Sequence, residues 1–371
     1  MLFAYDGPTN LAGHSWALSE DQRHLCDAVE RFARKRLAPL FAQSATPENW
    51  DDTMRLAGEL DIGTMILPAH LDGLEVEHSD LYLVVQHLTA GPLERAAELT
   101  LSVPALMTLR EQDALDCLPE RHIREYFDGS ASISLAIPGN MPDTAWILQR
   151  HADAPLLLPS ESGDDRSLRF VAPHQLRDVV RKRVHAAALG ALGLEQITVD
   201  RVALESCLQI TCGARGTGAE PVRTLLVETG FYLCALLVGT MQQSIAFALD
   251  YAATRYTFRK PLAAHQLIAT RLADMLIAAQ GSWLFLWALA VQGPSASDLL
   301  ICQLMRHVAS EAMEVSRDLV QLCGGHGYVE GLPPAAHFQT IPRFALLLAQ
   351  TERGLEQCVS QSQPLPHRAH P

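Results

Sequence analysis

The stretch QLCGGHGYVEGLPPAAHFQTIPRFALLLAQTERGLEQ, Gln321–Gln357, carries a glycine cluster inside an otherwise helical sequence. Glycine and proline interrupt helices because glycine adds backbone freedom and proline removes an amide donor. Similar breaks stand upstream at RKPL and QGPS, and the sequence between the breaks is helical in character. The sequence therefore predicts a C-terminal four-helix bundle over residues 223–371, with the glycine cluster at one of its bends.

The residues before the predicted bundle form two segments with different sequence patterns. Ser19 and Gln22 have capping-box spacing at the start of SEDQRHLCDAVERFARKRLAPL, and further helical patterns follow to about residue 125. From about Ser130, short runs with β-branched residues replace them: SISLAIP, APLLLP, SLRFVAP, EQITVD and CLQITC. We predict an N-terminal helical domain over residues 1–128 and a middle, β-barrel-like domain over residues 129–222.

Composition excludes several classes of function. A net charge of -13 and a pI near 5.6 argue against nucleic-acid binding, which needs a basic face. The first residues, MLFAYDGPTN, lack the basic start and apolar core of a secretory signal, so a cytoplasmic location is expected. The 8 cysteines and 15 histidines are scattered without ligand spacing, and no metal site is predicted.

One apolar run, LCALLVGTMQQSIAFAL, has the composition of a membrane segment. Gly239 and the amides of Gln242 and Gln243 interrupt it. The run therefore predicts a buried helix rather than a membrane span.

Two motifs in the predicted bundle resemble those of the acyl-CoA dehydrogenase family. RYTFRKPLAAHQLIATRLADM, Arg255–Met275, resembles a family segment in which an arginine precedes a phenylalanine, a Pro-Leu loop and a Leu-Ala-Asp-Met helix. QLCGGHGYVE, Gln321–Glu330, is similar to the family's Gln, Gly-Gly, Gly-Tyr/Phe, Glu signature. The resemblance covers nearly the whole chain, and it implies the family's helical, β and helical fold and FAD as cofactor.

The resemblance implies six cofactor-binding residues that reach across a dimer interface to the FAD of a neighbouring subunit: Arg255, Thr257, Phe258, Gln321, Gly324 and Gly325. A guanidinium suits the diphosphate because it binds two oxygens at once, and the Thr257 hydroxyl can add a hydrogen bond. Phe258 can pack against the adenosine. Gln321 and the glycine backbone offer amide donors where missing side chains allow close approach.

A purely structural role for the same residues is the alternative, in which Arg255 caps one helix and the glycines end another. Arg259 departs from the family, which usually has glycine there. Its long cation either crowds the loop or adds a phosphate contact.

The carboxylate that the reaction needs is missing from its expected place. Removal of an acyl-CoA α-proton requires a positioned base, and family spacing from the glycine pair leads to Leu348. Some members carry the base before the arginine loop, at the position of Thr229, next to Glu228. Neighbouring helical residues differ by about 100°, so Glu228 is expected to face elsewhere. Glu352 follows Leu348 by about one turn, and a helix-surface role is favoured for it.

The flavin-side sequence of the β-domain is also eroded. The segment SLAIPGNMPDTAWILQRHADAPLLL stands where catalytic members carry a Thr-Glu-Pro-like turn and a Trp-Ile-Thr/Ser segment. Trp146-Ile147 is either a remnant of that segment or an ordinary pair of strand residues. No catalytic residue is therefore assigned.

The asymmetric loss predicts a subunit of a heteromeric FAD-dependent acyl-CoA dehydrogenase, resembling the paired subunits of bacterial steroid side-chain catabolism. A second acyl-CoA dehydrogenase-like subunit would hold the flavin ring, base and acyl-CoA, in a dimer of heterodimers. One alternative is a self-sufficient acyl-CoA dehydrogenase using Glu228 as base. Another is a flavin-free structural or regulatory subunit.

Overall fold

The computed structural model of the chain begins, in its N-terminal part, with a short hairpin and a group of helices. The hairpin pairs β1, Asn10–Leu11, with β2, His14–Ser15. Helices α1 to α5 span Glu20–Arg36, Pro47–Glu59, His78–Leu88, Leu93–Leu99 and Val103–Glu111. The residues that the structure describes are 10–11, 14–15, 18–43, 46–60, 64–71, 73–118, 125–126, 131–139, 141, 143–162, 165–178, 180–184, 187–190, 192–198, 204–211 and 220–362.

The predicted capping box starts α1. The Gln22 amide donates to Ser19 Oγ at 3.1 Å, and the Ser19 amide donates to Gln22 Oε1 at 2.9 Å. These bonds satisfy backbone groups that the first helical turn leaves open. The apolar face of α1 then buries Cys26, Val29 and Ala33.

The middle region forms two antiparallel sheets. Strands β3 to β9 span Leu135–Pro138, Thr144–Gln149, Leu156–Ser162, Asp165–Val171, Val180–Val184, Gly193–Thr198 and Leu208–Ile210. One sheet has the order β3-β4-β8-β7, and the other has the order β5-β6-β9. Each of the five predicted runs overlaps one of these strands. Alternating side chains such as Ile147, Leu158 and Ile197 form a small core of their own.

The C-terminal region is a helical bundle built around its first helix. Helices α6 to α9 span Pro221–Thr254, Gln266–Ala290, Asp298–Cys323 and Pro333–Ser362. The Glu220 carboxylate caps α6 by accepting from the amides of Val222 at 2.9 Å and Arg223 at 2.7 Å. The other three bundle helices, together with α3 and α5, pack against α6.

The helical, strand, helical order confirms the predicted fold class, although the described strands form two open sheets rather than a closed barrel. The precise domain limits stay predictions; α6 already begins at Pro221, just before the expected boundary.

Two described helices, α6 and α7, are apolar and long enough to cross a membrane by length and composition alone. The most apolar segment of α6, with mean hydropathy 1.6, is completely buried within the protein. The corresponding segment of α7, with mean hydropathy 1.4, is only 44% buried. Helix α6 is therefore the core helix that the sequence predicted, whereas α7 leaves much apolar surface uncovered.

Candidate functional site

The arginine loop is a tight hairpin at the end of α6. Arg255 ends the helix, and its amide donates to the Tyr251 carbonyl at 2.9 Å. Strands β10, Tyr256–Thr257, and β11, Lys260–Pro261, then pair around Phe258 and Arg259. Both turn residues have positive φ, 49° and 68° respectively. This backbone favours glycine, which explains why the non-glycine residue at Arg259 is unusual for the loop.

The side chains of this loop point away from the chain's own core. Arg255 is exposed, and its guanidinium has no hydrogen-bond or ion-pair partner within the part of the chain that the structure describes. Phe258 is 92% exposed. Thr257 is half-buried, with its Oγ1 3.2 Å from His265 Nε2. The structural alternative, in which Arg255 only caps its helix, therefore has no side-chain contact to support it.

The glycine pair ends α8 at the same pole of the bundle. Gly324 has φ +57°, a backbone conformation that favours glycine. Its amide donates to the Gln321 carbonyl. A Cβ at Gly325 would meet nothing within 4 Å, and its φ is ordinary. The chain's own packing therefore gives no reason for glycine at Gly325, whereas close approach of a ligand would.

The structure brings the two motifs together. The Tyr251 hydroxyl donates to the Cys323 carbonyl at 3.3 Å and lies 2.9 Å from His326 Nδ1. Five of the six predicted residues are exposed at this pole: Arg255, Phe258, Gln321, Gly324 and Gly325. Together these residues form an open surface beside the Arg255 guanidinium, which we call the arginine pole.

The position expected for the catalytic base lies in a closed interior. Leu348 sits inside the continuous helix α9 and is 0% exposed. Gln350 is buried two residues later, and its Oε1 has no hydrogen-bond partner in the part of the chain that the structure describes. On α6, Thr229 Oγ1 is likewise buried without a partner. Thr229 Oγ1 thus lies at one expected base position, and Gln350 Oε1 lies two residues beyond the other.

Glu228 is committed to a contact with α3. One of its oxygens lies 3.0 Å from His78 Nε2, and the other accepts a hydrogen bond from the Tyr82 hydroxyl. The carboxylate is 1% exposed. Burial acts to raise the pKa of Glu228, but the charge and hydrogen bond of His78 outweigh it and lower that pKa.

His78 responds in the opposite direction. Burial acts to lower the pKa of His78, yet the charge and hydrogen bond of Glu228 raise it above its ordinary value. Glu111 lies a further 3.7 Å from the same His78 nitrogen. The result is a buried ion pair between the N-terminal helices and the bundle, which we call the α3–α6 pair.

The sequence interpretation did not identify His78 and Tyr82, although a signal was present. His78, Tyr82 and Gln86 recur at every fourth position of α3, which places polar groups on one face of an apolar helix. Gln86 Nε2 donates to Gln242 Oε1 at 2.6 Å on α6. Buried polar residues at helical spacing imply partners on the facing helix.

The two remaining candidates, Glu352 and Trp146, make contacts that hold the fold together. Glu352 forms an ion pair with Arg306, which also lies 2.8 Å from Glu356. Trp146, in strand β4, pairs with Ile137 of β3 and packs against the main hydrophobic core. Its Nε1 has no hydrogen-bond acceptor among the described residues. Among the described residues, no group of three or more metal-ligating side chains is found.

Comparisons with known proteins agree with this architecture. Residues 19–109 match the model of the acyl-CoA dehydrogenase N-terminal domain, and residues 216–352 match that of the C-terminal domain. The mitochondrial isobutyryl-CoA dehydrogenase of Bos taurus is 24% identical over 347 residues, covering 85% of this chain and 82% of that protein.

Solved structures share the fold. A glutaryl-CoA dehydrogenase from Mycobacterium smegmatis in complex with FADH2 has a TM-score of 0.72 at 18% identity, covering 95% of this chain and 97% of that one. Butyryl-CoA dehydrogenase from Megasphaera elsdenii has a TM-score of 0.71 at 16% identity, covering 92% and 98%. The fold is thus that of an FAD-dependent acyl-CoA oxidoreductase. The chain belongs to the acyl-CoA dehydrogenase family.

Proposed function

We propose that this chain is the non-catalytic subunit of a heteromeric acyl-CoA dehydrogenase and lends the arginine pole to FAD held by a partner subunit. The observation that supports the proposal is the lack of an available carboxylate at either expected base position. Leu348 replaces the usual base, and both oxygens of Glu228 are bonded inside the protein. A base must reach the proton that it removes, and neither position offers one.

The chemistry of the family defines what the partner must supply. Bound FAD would supply the acceptor for the hydride that leaves the acyl β-carbon, and a carboxylate of the partner would remove the α-proton. In this chain Glu228 would have to leave a buried, charged partner before it could act. Breaking such a pair costs about 3 to 5 kcal/mol, which disfavours the self-sufficient alternative.

The arginine pole fits the ADP half of the cofactor. Arg255 offers an unpaired guanidinium, and the open space above Gly325 leaves room for close approach of a diphosphate. Phe258, almost completely exposed, is available to an adenosine. Such exposure favours a ligand that belongs to a neighbouring subunit over one enclosed by this chain.

Helix α7 and its neighbour α8 support association with a partner. Large apolar side chains stand exposed on both helices: Leu267 is 85% exposed, Ile277 68%, Leu299 66% and Met313 42%. Exposed apolar surface of this kind marks protein interfaces. We propose that the partner is a second acyl-CoA dehydrogenase-like subunit, that the assembly is a dimer of heterodimers, and that it resides in the cytoplasm.

The substrate proposal rests on the sequence resemblance to paired steroid-catabolic subunits. It assigns a steroid side-chain CoA thioester to the partner's active site. A panel of straight-chain, branched and steroid-derived acyl-CoA thioesters tests this assignment.

The central experiment compares the isolated chain with the complex purified together with the products of neighbouring genes. We expect no bleaching of added FAD by acyl-CoA under anaerobic conditions for the isolated chain, and one FAD per two different subunits in the complex. One FAD per subunit of this chain, with bleaching abolished in Glu228→Gln, would establish the self-sufficient enzyme instead. Absence of FAD from the complex would favour a flavin-free structural or regulatory subunit instead.

A further inference from the structure

A separate groove lies where α1 and α3 pack against α6 and α7. Its volume is about 260 Å³. Drug-sized ligands occupy pockets of about 300 to 1,000 Å³, so this groove suits a smaller molecule. The residues of α3 and α6 that line the groove come after His78, Tyr82 and Glu228 in the sequence, so they lie nearer the C-terminal ends of the two helices. The predicted cofactor-binding residues are not among the described residues that line it.

The walls of the groove offer uncharged hydrogen-bonding groups. Gln86 and Gln242 are 3% and 5% exposed, and they are joined by one hydrogen bond of 2.6 Å. Each amide carries both a donor and an acceptor, so this bond leaves an acceptor on Gln86 and donors on Gln242. Burial lowers the pKa of His87, so its ring is neutral and can also donate or accept.

One wall is aromatic and continues inward. Trp283 lines the groove and stacks on Trp287, with ring centroids 6.2 Å apart and planes at 9°. A second, narrow recess of about 10 Å³ is lined by Trp283, Trp287 and Tyr82, and it shares Trp283 and Gln86 with the groove. The Trp287 Nε1 is buried and has no acceptor among the described residues, although indole nitrogens usually find one when buried.

The charges at the groove balance each other. Arg34 forms an ion pair with Glu30 at 2.6 Å, and the other lining charges are Arg23 and Asp27. Burial, together with Asp27, raises the pKa of the Cys26 thiol to about 12, so it is uncharged at neutral pH. A charged ligand would lose its hydration here without a clear counter-charge, which is costly.

We propose that this groove is a second ligand site, which binds a neutral heteroaromatic base of the purine or pyrimidine kind. Glutamine amides match the paired donor and acceptor edge of such a base, and an indole supplies a stacking surface. The ring size fits the groove volume. The site is independent of the arginine pole and does not rest on the proposed function.

The test titrates the purified chain with adenine, adenosine, AMP and decanoate, and follows tryptophan fluorescence and thermal unfolding. We expect saturable binding of adenine and adenosine. Gln242→Met, of similar size, and Trp283→Phe should each weaken adenine binding by about tenfold, which corresponds to the loss of one hydrogen bond or stacking contact. Gln292→Met, on an exposed glutamine outside the groove, should leave binding unchanged.

Several outcomes would overturn the proposal. These are the absence of saturable binding, equal binding by the wild-type chain and Gln242→Met, AMP binding more tightly than adenosine, or decanoate binding more tightly than adenine. The thermal scan shows whether each variant is folded. If Gln242→Met does not fold, Trp283→Phe decides the result, because its truncation is confined to one ring of the wall.

Discussion

The arginine pole and the expected base position lie in the same bundle, but the protein covers them in opposite ways. At the pole, Arg255 and Phe258 are exposed to solvent, with the His265 ring 6.1 Å from that of Phe258. At the base position, Leu348 is completely buried and Glu228 is enclosed by His78 and Tyr82. One region is open to solvent, and the other is filled by the protein's own side chains.

This difference separates side chains that their own fold does not need from side chains that the fold packs. An exposed, unpaired guanidinium contributes little to the stability of its own chain, so packing does not explain its presence. The closed region is different, because leucine at position 348 and the α3–α6 pair both stabilise the fold. Substitutions in the two regions should therefore affect different measurements.

The largest expected effect comes from Leu348→Glu, which restores a carboxylate to the base position. It removes a buried leucine and places a charge in an apolar interior, at a cost of about 4 to 5 kcal/mol. Urea unfolding measures this loss, and Leu346→Glu on the same helix is the control because Leu346 is 44% exposed. The isolated variant should remain unable to reduce flavin, while the partner keeps its activity after mixing. Substrate-dependent flavin reduction by the isolated variant would show that a complete active site exists.

Glu228→Gln should come next, with a loss of about 3 kcal/mol in the free energy of unfolding, because it leaves His78 without its buried counter-charge. Glu352→Gln is the matched control, and it should cost less than about 1 kcal/mol because its partner Arg306 is 64% exposed. Chemical denaturation of the two variants gives the comparison. Equal losses would contradict the assignment of a special role to the α3–α6 pair.

Arg255→Ala should leave the free energy of unfolding unchanged. It should weaken FAD binding in the complex by about 2 kcal/mol, which is typical of a lost hydrogen bond to a charged group. Arg255→Lys should recover part of the loss, since an ammonium lacks the planar fork. Flavin retention during gel filtration measures the effect, with Arg317→Ala as the exposed control. Full flavin content in Arg255→Ala would remove the arginine pole from the cofactor site.

The α3–α6 pair should make the stability of the protein depend on pH. This dependence should account for part of the stability lost in Glu228→Gln. The raised pKa of His78 gives stability that is complete below its ordinary value of 6.5 and is lost as pH rises through the folded pKa. The lowered pKa of Glu228 gives stability that is complete above 4.5 and is lost as pH falls through the folded pKa. The difference in melting temperature between wild type and Glu228→Gln should therefore be largest between pH 4.5 and 6.5. A difference independent of pH would show that the pair is not ionised.

The smallest expected effect is a gain in stability from Arg259→Gly. Arg259 has φ 68°, and glycine relieves this strain at some cost in unfolded-state entropy, for a net gain of about 0.5 to 1 kcal/mol. Arg259→Ala keeps a Cβ and should give no gain. Thermal unfolding of both variants tests whether backbone strain or the cation itself determines the loop.

Local signals in the sequence predicted much of the fold. The capping box at Ser19, the five strand-containing runs and the glycine cluster all act over a few residues, so they can be read directly. Strand β7, VRKRV, was not predicted because it lies at a sheet edge with exposed charged side chains and lacks an apolar run. The arginine and glycine motifs were likewise readable, as were the substitution at Leu348 and the departure at Arg259.

Other features depend on residues that are distant in sequence. Glu228 and His78 are 150 positions apart, and their hydrogen bond exists only because α3 packs against α6. The exposure of Arg255, the open space at Gly325 and the groove between four helices also arise from packing. The sequence by itself determined the order of elements, the family motifs and the absence of a carboxylate at Leu348, because each is encoded locally. Only the tertiary structure decided that Glu228 is engaged and Arg255 free, because burial and pairing depend on which distant helices meet.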